Sequence, residues 1–117
     1  MTDIKRIETG ARMSRAVIHN GVAYLAGMTA AEKTPDIRAQ TRDVLKRIDA
    51  RLAEIGTDKS RLLTAQIWVK DIKNDFAGMN EVWDAWTAPG NAPTRATAEC
   101  ALALPEILVE IIVTAAV

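Results

Sequence analysis

The residues with the clearest chemical potential are an arginine and a glutamate in two strand-like segments. Arg95 lies in segment 92–100, where small apolar residues alternate with polar ones, and Glu110 lies in the mainly apolar segment 108–113. Alternate side chains of a strand point to opposite faces of a sheet. If the apolar rows of both segments pack on one core, Arg95 and Glu110 share the other sheet face.

This arrangement places a cation and a carboxylate on a weakly polar surface. Taken alone, Arg95 and Glu110 are most simply interpreted as a surface salt bridge, which stabilises little. Chemistry at the pair would require other elements of the chain to position the two side chains.

Length and composition are those of an ordinary small globular protein. The chain has 117 residues, which predicts one domain spanning 1–117. Hydrophobic residues make up 49% and charged residues 26%, and 15 basic residues balance 15 acidic ones to a formal net charge of +0. Because phosphate binding needs clustered cations, this balance argues against nucleic acid as the main partner.

The N-terminal residues and the cysteine count bear on the compartment. The first six residues contain no apolar stretch of the kind found in signal peptides, and we identify no membrane span. The one cysteine allows no intrachain disulfide, which fits a reducing compartment. We therefore expect a cytoplasmic protein.

A hairpin is predicted near the N-terminus. Asn20-Gly21 lies between two apolar runs, and both residues of such a turn need positive φ. Segment 3–9 is short and mixed, which favours an edge strand ahead of the hairpin. Segment 22–27 is mostly apolar and suits an inner strand.

Two amphipathic helices with a strand between them are predicted in the middle of the chain. Apolar residues at three- and four-residue spacing predict helices over 35–55 and 76–86. Thr34 is the expected N-cap of the first helix. Alternation over 62–69 predicts a strand with Leu63 on the core face.

The resulting order is β-β-β-α-β-α-β-β, an α+β fold with a mixed six-stranded sheet and both helices on one face. The other face is expected to carry a mixed patch of Trp68, Arg95, Thr97, Glu110 and Ile112. A small domain with such a patch open to water is expected to self-associate through it.

The set and order of motifs resemble the YjgF/RidA family of imine and enamine deaminases. The most specific part is the C-terminal signature Pro93-Thr94-Arg95-Ala96-Thr97, Leu104-Pro105 and Val109-Glu110-Ile111. Further similar segments are Leu25-Ala26-Gly27, Ala39-Gln40-Thr41, Val69-Lys70-Asp71 and Met79-Asn80-Glu81-Val82-Trp83. The similarity covers nearly the whole chain.

This resemblance implies a chorismate-mutase-like fold, with the last strand between the third and the fourth, and a homotrimer with clefts between subunits. In the family, the arginine matching Arg95 binds the substrate carboxylate, and the glutamate matching Glu110 positions the water or the proton. The positions matching Thr97, Gly27 and Met13 are implied to line the substrate pocket. The resemblance implies no cofactor.

Two positions depart from the best-known branch of the family. Met13 stands where that branch has a tyrosine, and Arg15 lies near a family glutamine. These differences indicate a sister branch. A second cation near the mouth of the site would favour longer or more acidic imino acids.

We expect no catalytic role for the other reactive residues, His19, Cys100 and Glu99. His19 is the only histidine and lies beside the hairpin turn, without a second ligand type nearby in sequence, so we expect no metal site. Cys100 falls on the apolar face of its strand, where a thiol behaves as a small hydrophobe. Glu99 is either a structural partner across the trimer axis or solvated.

The function implied by the resemblance is hydrolysis of reactive 2-imino or 2-enamino acids, such as 2-aminoacrylate and 2-iminopropanoate, to 2-oxo acids and ammonia. Arg95 would hold the carboxylate, and Glu110 would orient water and move a proton. One alternative is a non-catalytic trimer that binds a small carboxylate or a protein, in translation or stress. Another is chorismate-mutase-like chemistry, and fold alone does not decide among them.

Overall fold

The computed structural model describes residues 3–117 and contains six strands and two α-helices. The strands are β1 Lys5–Ile7, β2 Ala16–His19, β3 Val22–Leu25, β4 Leu62–Val69, β5 Thr94–Glu99 and β6 Val109–Ala116. The helices are α1 Ile37–Glu54 and α2 Ile72–Trp86, and a 3-10 turn, Lys59–Arg61, precedes β4. Neither helix is long and apolar enough to cross a membrane.

The six strands form one mixed sheet in the order β1-β2-β3-β6-β4-β5. The last strand, β6, lies between β3 and β4 and runs antiparallel to both, whereas β4 and β5 are parallel. The expected element order and the central place of the last strand are therefore confirmed.

The hairpin between β2 and β3 is also confirmed. Asn20 and Gly21 have φ of 52° and 76°, as a two-residue turn with both residues left-handed requires. The turn closes on the pair His19 and Val22. The register set here continues to β6, where Tyr24 lies opposite Thr114.

One face of the sheet is covered by both helices and forms the core. Side chains at i, i+4 spacing on α1 pack against inward rows of β4 and β6, and the fully buried ones include Val44, Leu45, Ile48, Leu52, Ile67, Val109, Ile111 and Val113. Burial of each such side chain contributes roughly 1.5–3 kcal/mol. The opposite face of the sheet has no helix on it, and we call it the open face.

Gln40 ties α1 to the loop that leads into β6. It is fully buried, and its amide Nε2 donates to the carbonyls of Thr34 and Glu106, at 2.9 Å each. Its Oε1 accepts from the amide of Leu108 at 3.0 Å. Since a buried amide costs free energy unless it is paired, this network fixes the chain immediately before Glu110.

Three local expectations are wrong in detail. Asp36, not Thr34, is the N-cap of α1, because its side chain accepts from the amide of Arg38. Helix α2 begins at Ile72, four residues before the expected start. A register shift in β4 between Leu62 and Thr64 turns Leu62 inward and leaves Leu63 41% exposed.

Candidate functional site

Glu110 is positioned by the centre of the sheet and lies on the open face. Its cross-strand neighbour is Trp68 of β4, whose side chain is 37% exposed. Gly27, just beyond β3, provides the space for the carboxylate, because a methyl group at Gly27 would overlap Glu110 Oε2. Within residues 3–117 the carboxylate has no ion-pair partner, and burial raises its pKa above the ordinary 4.5.

An open groove of about 410 Å³ lies beside the Glu110 carboxylate. Its walls include Trp68, Ala98, Cys100 and Leu102. Cys100 therefore shares a face with Ala98, as expected, but that face is the open one and not the core. The groove is mostly apolar, which accounts for the desolvation of Glu110.

Arg95 lies on the other, helix-covered face of the sheet. In the parallel register it stands opposite Ala65, whose side chain points into the core. Its guanidinium donates from Nη1 to Asn80 Oδ1 of α2 at 2.7 Å, and it lies over the rings of Phe76 and Trp83, with its Cζ 5.9 Å and 5.7 Å from their centroids.

Arg95 also lacks a carboxylate partner in the described part of the chain. The aromatic faces of α2 favour the cation by electrostatic attraction to the ring quadrupole. Five N–H donors of a guanidinium are more than one asparagine oxygen can satisfy. The half-buried guanidinium therefore retains donors for an oxyanion that approaches from the β5 edge.

The prediction that Arg95 and Glu110 share a sheet face is wrong. Arg95 of β5 lies opposite Ala65 of β4, and Ala65 lies opposite Val113 of β6. Glu110 is three residues from Val113 along β6. A rise of about 3.3 Å per residue and a strand spacing of about 4.8 Å put the two Cα atoms about 14 Å apart. Within one chain the two side chains also project from opposite faces, so the sheet itself lies between them.

Thr97 and Glu99 follow Arg95 onto the helix-covered face, which also corrects the expected position of Thr97. The Thr97 Oγ1 atom is buried without a hydrogen-bond partner in the described residues. Glu99 Oε1 accepts from the amide of Ile72 at 3.1 Å. Within the chain, Glu99 thus satisfies one of the free amides at the start of α2.

The two remaining residues of the expected site lie apart from Arg95. Gly27 contacts Glu110, as described above. Met13 is 45% exposed in the loop between β1 and β2, and it lines an open groove of about 720 Å³ with Glu8, Arg12 and Arg15.

Sequence reasoning missed the environment of Arg95 on α2. Phe76, Asn80 and Trp83 have i, i+4, i+7 spacing, the signature of one helix face. The same spacing is also typical of a helix face that packs on a core, and nothing in the sequence indicates which strand lies below it. His19 lies as expected at the hairpin, with Nδ1 3.4 Å from the carbonyl oxygen of Asp3.

Across residues 3–117, no group of three or more histidine, cysteine, aspartate or glutamate side chains is arranged to hold a metal ion. The candidate site therefore consists of two half-sites: Glu110 with Gly27 on the open face, and Arg95 with Asn80 beneath α2. Each half-site presents a charge that lacks an opposite charge.

Comparison with known proteins gives one consistent family. The family model for endoribonuclease L-PSP matches residues 3–117. A RutC family protein from Haemophilus ducreyi is 45% identical over 114 residues, 97% of each chain.

Solved structures agree with that result. A member of the YjgF protein family from Neisseria meningitidis superposes with a TM-score of 0.93 at 46% identity, covering 97% of this chain and 94% of the other. A protein of unknown function of the conserved Rid family from Yersinia pestis gives a TM-score of 0.89 at 31% identity, covering 98% and 100%. This chain belongs to the YjgF/RidA family, whose model carries the name endoribonuclease L-PSP.

Proposed function

We propose that this member of the YjgF/RidA family hydrolyses small 2-imino or 2-enamino acids to 2-oxo acids and ammonia. The observation that carries the proposal is the presence of two unneutralised, partly desolvated groups of opposite charge, Arg95 and Glu110, on opposite faces of one sheet. A 2-imino acid needs one of each: a cation for its carboxylate and a proton-transfer group for its imine.

Arg95 is suited to hold the substrate carboxylate. A guanidinium binds a carboxylate through two parallel hydrogen bonds. Its hydrogen bond to Asn80 and its position over the rings of Phe76 and Trp83 restrict its rotamers before the ligand arrives. Such preorganisation reduces the entropy cost of binding.

Glu110 is suited to proton transfer because its pKa is raised toward neutral pH by burial. As a carboxylate it takes a proton from water while the water oxygen adds to the imine carbon, and the C=N electron pair moves to nitrogen. The protonated Glu110 then gives the proton to that nitrogen. The resulting amino alcohol then collapses: Glu110 takes the hydroxyl proton and passes it to the nitrogen, the C=O bond forms, the C–N bond breaks and ammonia leaves.

The Cα atoms of Arg95 and Glu110 are about 14 Å apart and the two side chains lie on opposite faces of the sheet, which supports a site built from two copies of the chain. We propose a homotrimer in which Arg95 of one copy meets Glu110 of the next. The open face supports this assembly, since it exposes Tyr24 and Trp68, at 50% and 37%, beside Thr64 and Thr114. Large aromatic groups on a face without a helix are typical of a protein interface.

Two measurements test the proposal. Light scattering should give three times the chain mass of 12.7 kDa. A 2-imino acid generated in situ by an amino-acid oxidase should decay faster with the protein present, seen as a loss of semicarbazone formed in competition. A stable monomer contradicts the assembly. A trimer that binds 2-oxo acids but leaves the imine lifetime unchanged would instead be a carboxylate-binding module.

A further inference from the structure

A small pocket lined by three arginines opens beside Gly27. Its volume is about 240 Å³, and its charged lining residues are Glu8, Arg15, Arg47 and Arg51. A water molecule occupies about 30 Å³ of liquid, so this volume is equivalent to about eight waters. The pocket is therefore large enough for a short acidic side chain.

Backbone hydrogen bonds fix the position of Arg15 in the wall of this pocket. The amide of Arg15 donates to the carbonyl of Ile7 at 2.9 Å, and its own carbonyl accepts from the amide of Ala26 at 2.9 Å. The main chain of Arg15 is thus held between the end of β1 and the residue before Gly27. Met13, two residues earlier, lies in the neighbouring groove, which shares Glu8 and Arg15 with the pocket.

The positive charge of the pocket is only partly neutralised. Arg51 forms ion pairs with Glu8 and with Glu54, the latter at 2.9 Å. Arg47 donates to the backbone carbonyl of Thr29. Between residues 3 and 117, neither Arg47 nor Arg15 pairs with a carboxylate. Arg15 and Arg47 therefore line a space whose one lining carboxylate, Glu8, is already paired with Arg51.

Gly27 connects this pocket with the proton-transfer group. The same glycine lines the arginine pocket and lies against the Glu110 carboxylate, where any Cβ would overlap Oε2. The pocket therefore adjoins the residue that lies against Glu110, and Arg47 reaches it from α1 on the helix-covered side of the sheet. Arg95, about 14 Å from Glu110 in the same chain, plays no part in this pocket.

We propose that Arg15 and Arg47 bind the second carboxylate of a dicarboxylic 2-imino acid, so that this protein prefers imines of acidic amino acids over those of neutral ones. The inference rests on the proposed function and specifies its substrate class. Arginine is well suited to the task, because its planar fork matches a carboxylate and stays charged at all physiological pH values.

The first test compares turnover of two imines made in situ by oxidases, one from an acidic amino acid and one from a neutral amino acid of similar length. In the wild type, kcat/KM should be higher for the dicarboxylic imine. The double variant Arg15→Gln/Arg47→Gln should lower that preference at least tenfold by reducing kcat/KM for the dicarboxylic imine. Arg42→Gln, an exposed arginine on the same helix α1 that lies outside the pocket, is the matched control.

Equal wild-type rates on both imines, or an equal loss on both in the double variant, would overturn the proposal. The same holds if Arg42→Gln lowers the preference as much as the double variant, because the effect would then be one of net charge.

A second test is independent of turnover. Titration calorimetry with a stable 2-oxo dicarboxylate and its monocarboxylic analogue should show tighter binding of the former, and Arg15→Gln/Arg47→Gln should remove the difference. If imine hydrolysis is absent but this binding difference is present, the proposed function fails and the pocket remains a dicarboxylate site. If the wild type binds both acids equally, the pocket proposal fails even where imines are hydrolysed.

Discussion

The two half-sites are built in opposite ways. Arg95 is surrounded by partners: an asparagine oxygen at 2.7 Å and two aromatic rings within 6 Å of its Cζ. Glu110, in contrast, has no ion-pair partner among residues 3–117. Gly27 leaves space for its carboxylate, and burial raises its pKa. Arg95 is held in place by its contacts, whereas burial disfavours the charged form of Glu110.

The difference suits one group to ligand binding and the other to proton transfer. A group that must hold a ligand benefits from a fixed charge and a fixed geometry. A group that must take and return a proton benefits from a pKa near the working pH, which desolvation provides for a carboxyl. Substitutions that remove the fixed cation or the titrating carboxyl separately distinguish these two roles.

Removal of the proton-transfer function should have the largest effect. Glu110→Gln keeps the size of the side chain and its place beside Gly27 but cannot accept a proton. We expect imine hydrolysis to fall by about 10²- to 10⁴-fold, as is usual for loss of a general acid or base. Semicarbazide-competition kinetics measure the change, and circular dichroism and light scattering control for the fold. Unchanged turnover in the folded assembly would make Glu110 structural.

Removal of the fixed cation should have the next largest effect and a different substrate dependence. Truncation of one member of a desolvated charge pair costs about 2–5 kcal/mol, so Arg95→Ala should lower kcat/KM for 2-imino acids about 30- to several-thousand-fold. An imine without a carboxylate should react poorly with both wild type and variant. A proportional loss on both substrates would show that Arg95 does not bind the carboxylate.

Substitutions of Asn80 test whether this residue positions Arg95 or only packs against it. Asn80→Ala removes the bond to Arg95 and should raise KM about two- to tenfold, since such a bond contributes about 0.5–1.5 kcal/mol. Asn80→Asp should raise KM further, because its carboxylate competes with the substrate for the guanidinium, while kcat changes little. If the aspartate variant binds 2-oxo acids as well as the alanine variant does, Asn80 does not act through Arg95.

The smallest expected effect concerns stability and pH. A carboxyl whose pKa is raised by folding stabilises the folded state below its ordinary pKa of 4.5 and loses that contribution as pH rises through the folded-state value. Glu110→Gln does not titrate, so its Tm should exceed that of the wild type at pH 7 and match it at pH 4. Differential scanning fluorimetry across this range measures the difference. Equal Tm values at pH 7 would indicate a compensating partner for the carboxylate.

Much of the fold could be predicted from local patterns. The Asn20-Gly21 turn follows from the need for positive φ, and both helices follow from the spacing of their apolar residues. The central place of β6 could not be derived from local pattern, because strand order depends on contacts far apart in the chain. The resemblance to a known family supplied it.

The prediction of which side chains of β5 face the core was wrong, and the error has a physical cause. Ala96 and Ala98 alternate with Arg95, Thr97 and Glu99, and the smaller, apolar row was assigned to the core. Alanine fits either face, since it carries little surface to bury. The long polar side chains point inward here because α2 offers each of them a contact: Asn80 and two rings for Arg95, and the Ile72 amide for Glu99.

The place of β6 between β3 and β4 has a consequence for synthesis of the protein. During translation, β3 and β4 leave the ribosome well before β6, and each lacks one of its two sheet neighbours until Val109–Ala116 has emerged. Pairings between distant segments slow folding, and exposed strand edges invite aggregation meanwhile. A nascent chain stopped before Val109 has two separate sheet fragments with unpaired edges, so premature termination yields a product that is exposed to proteolysis.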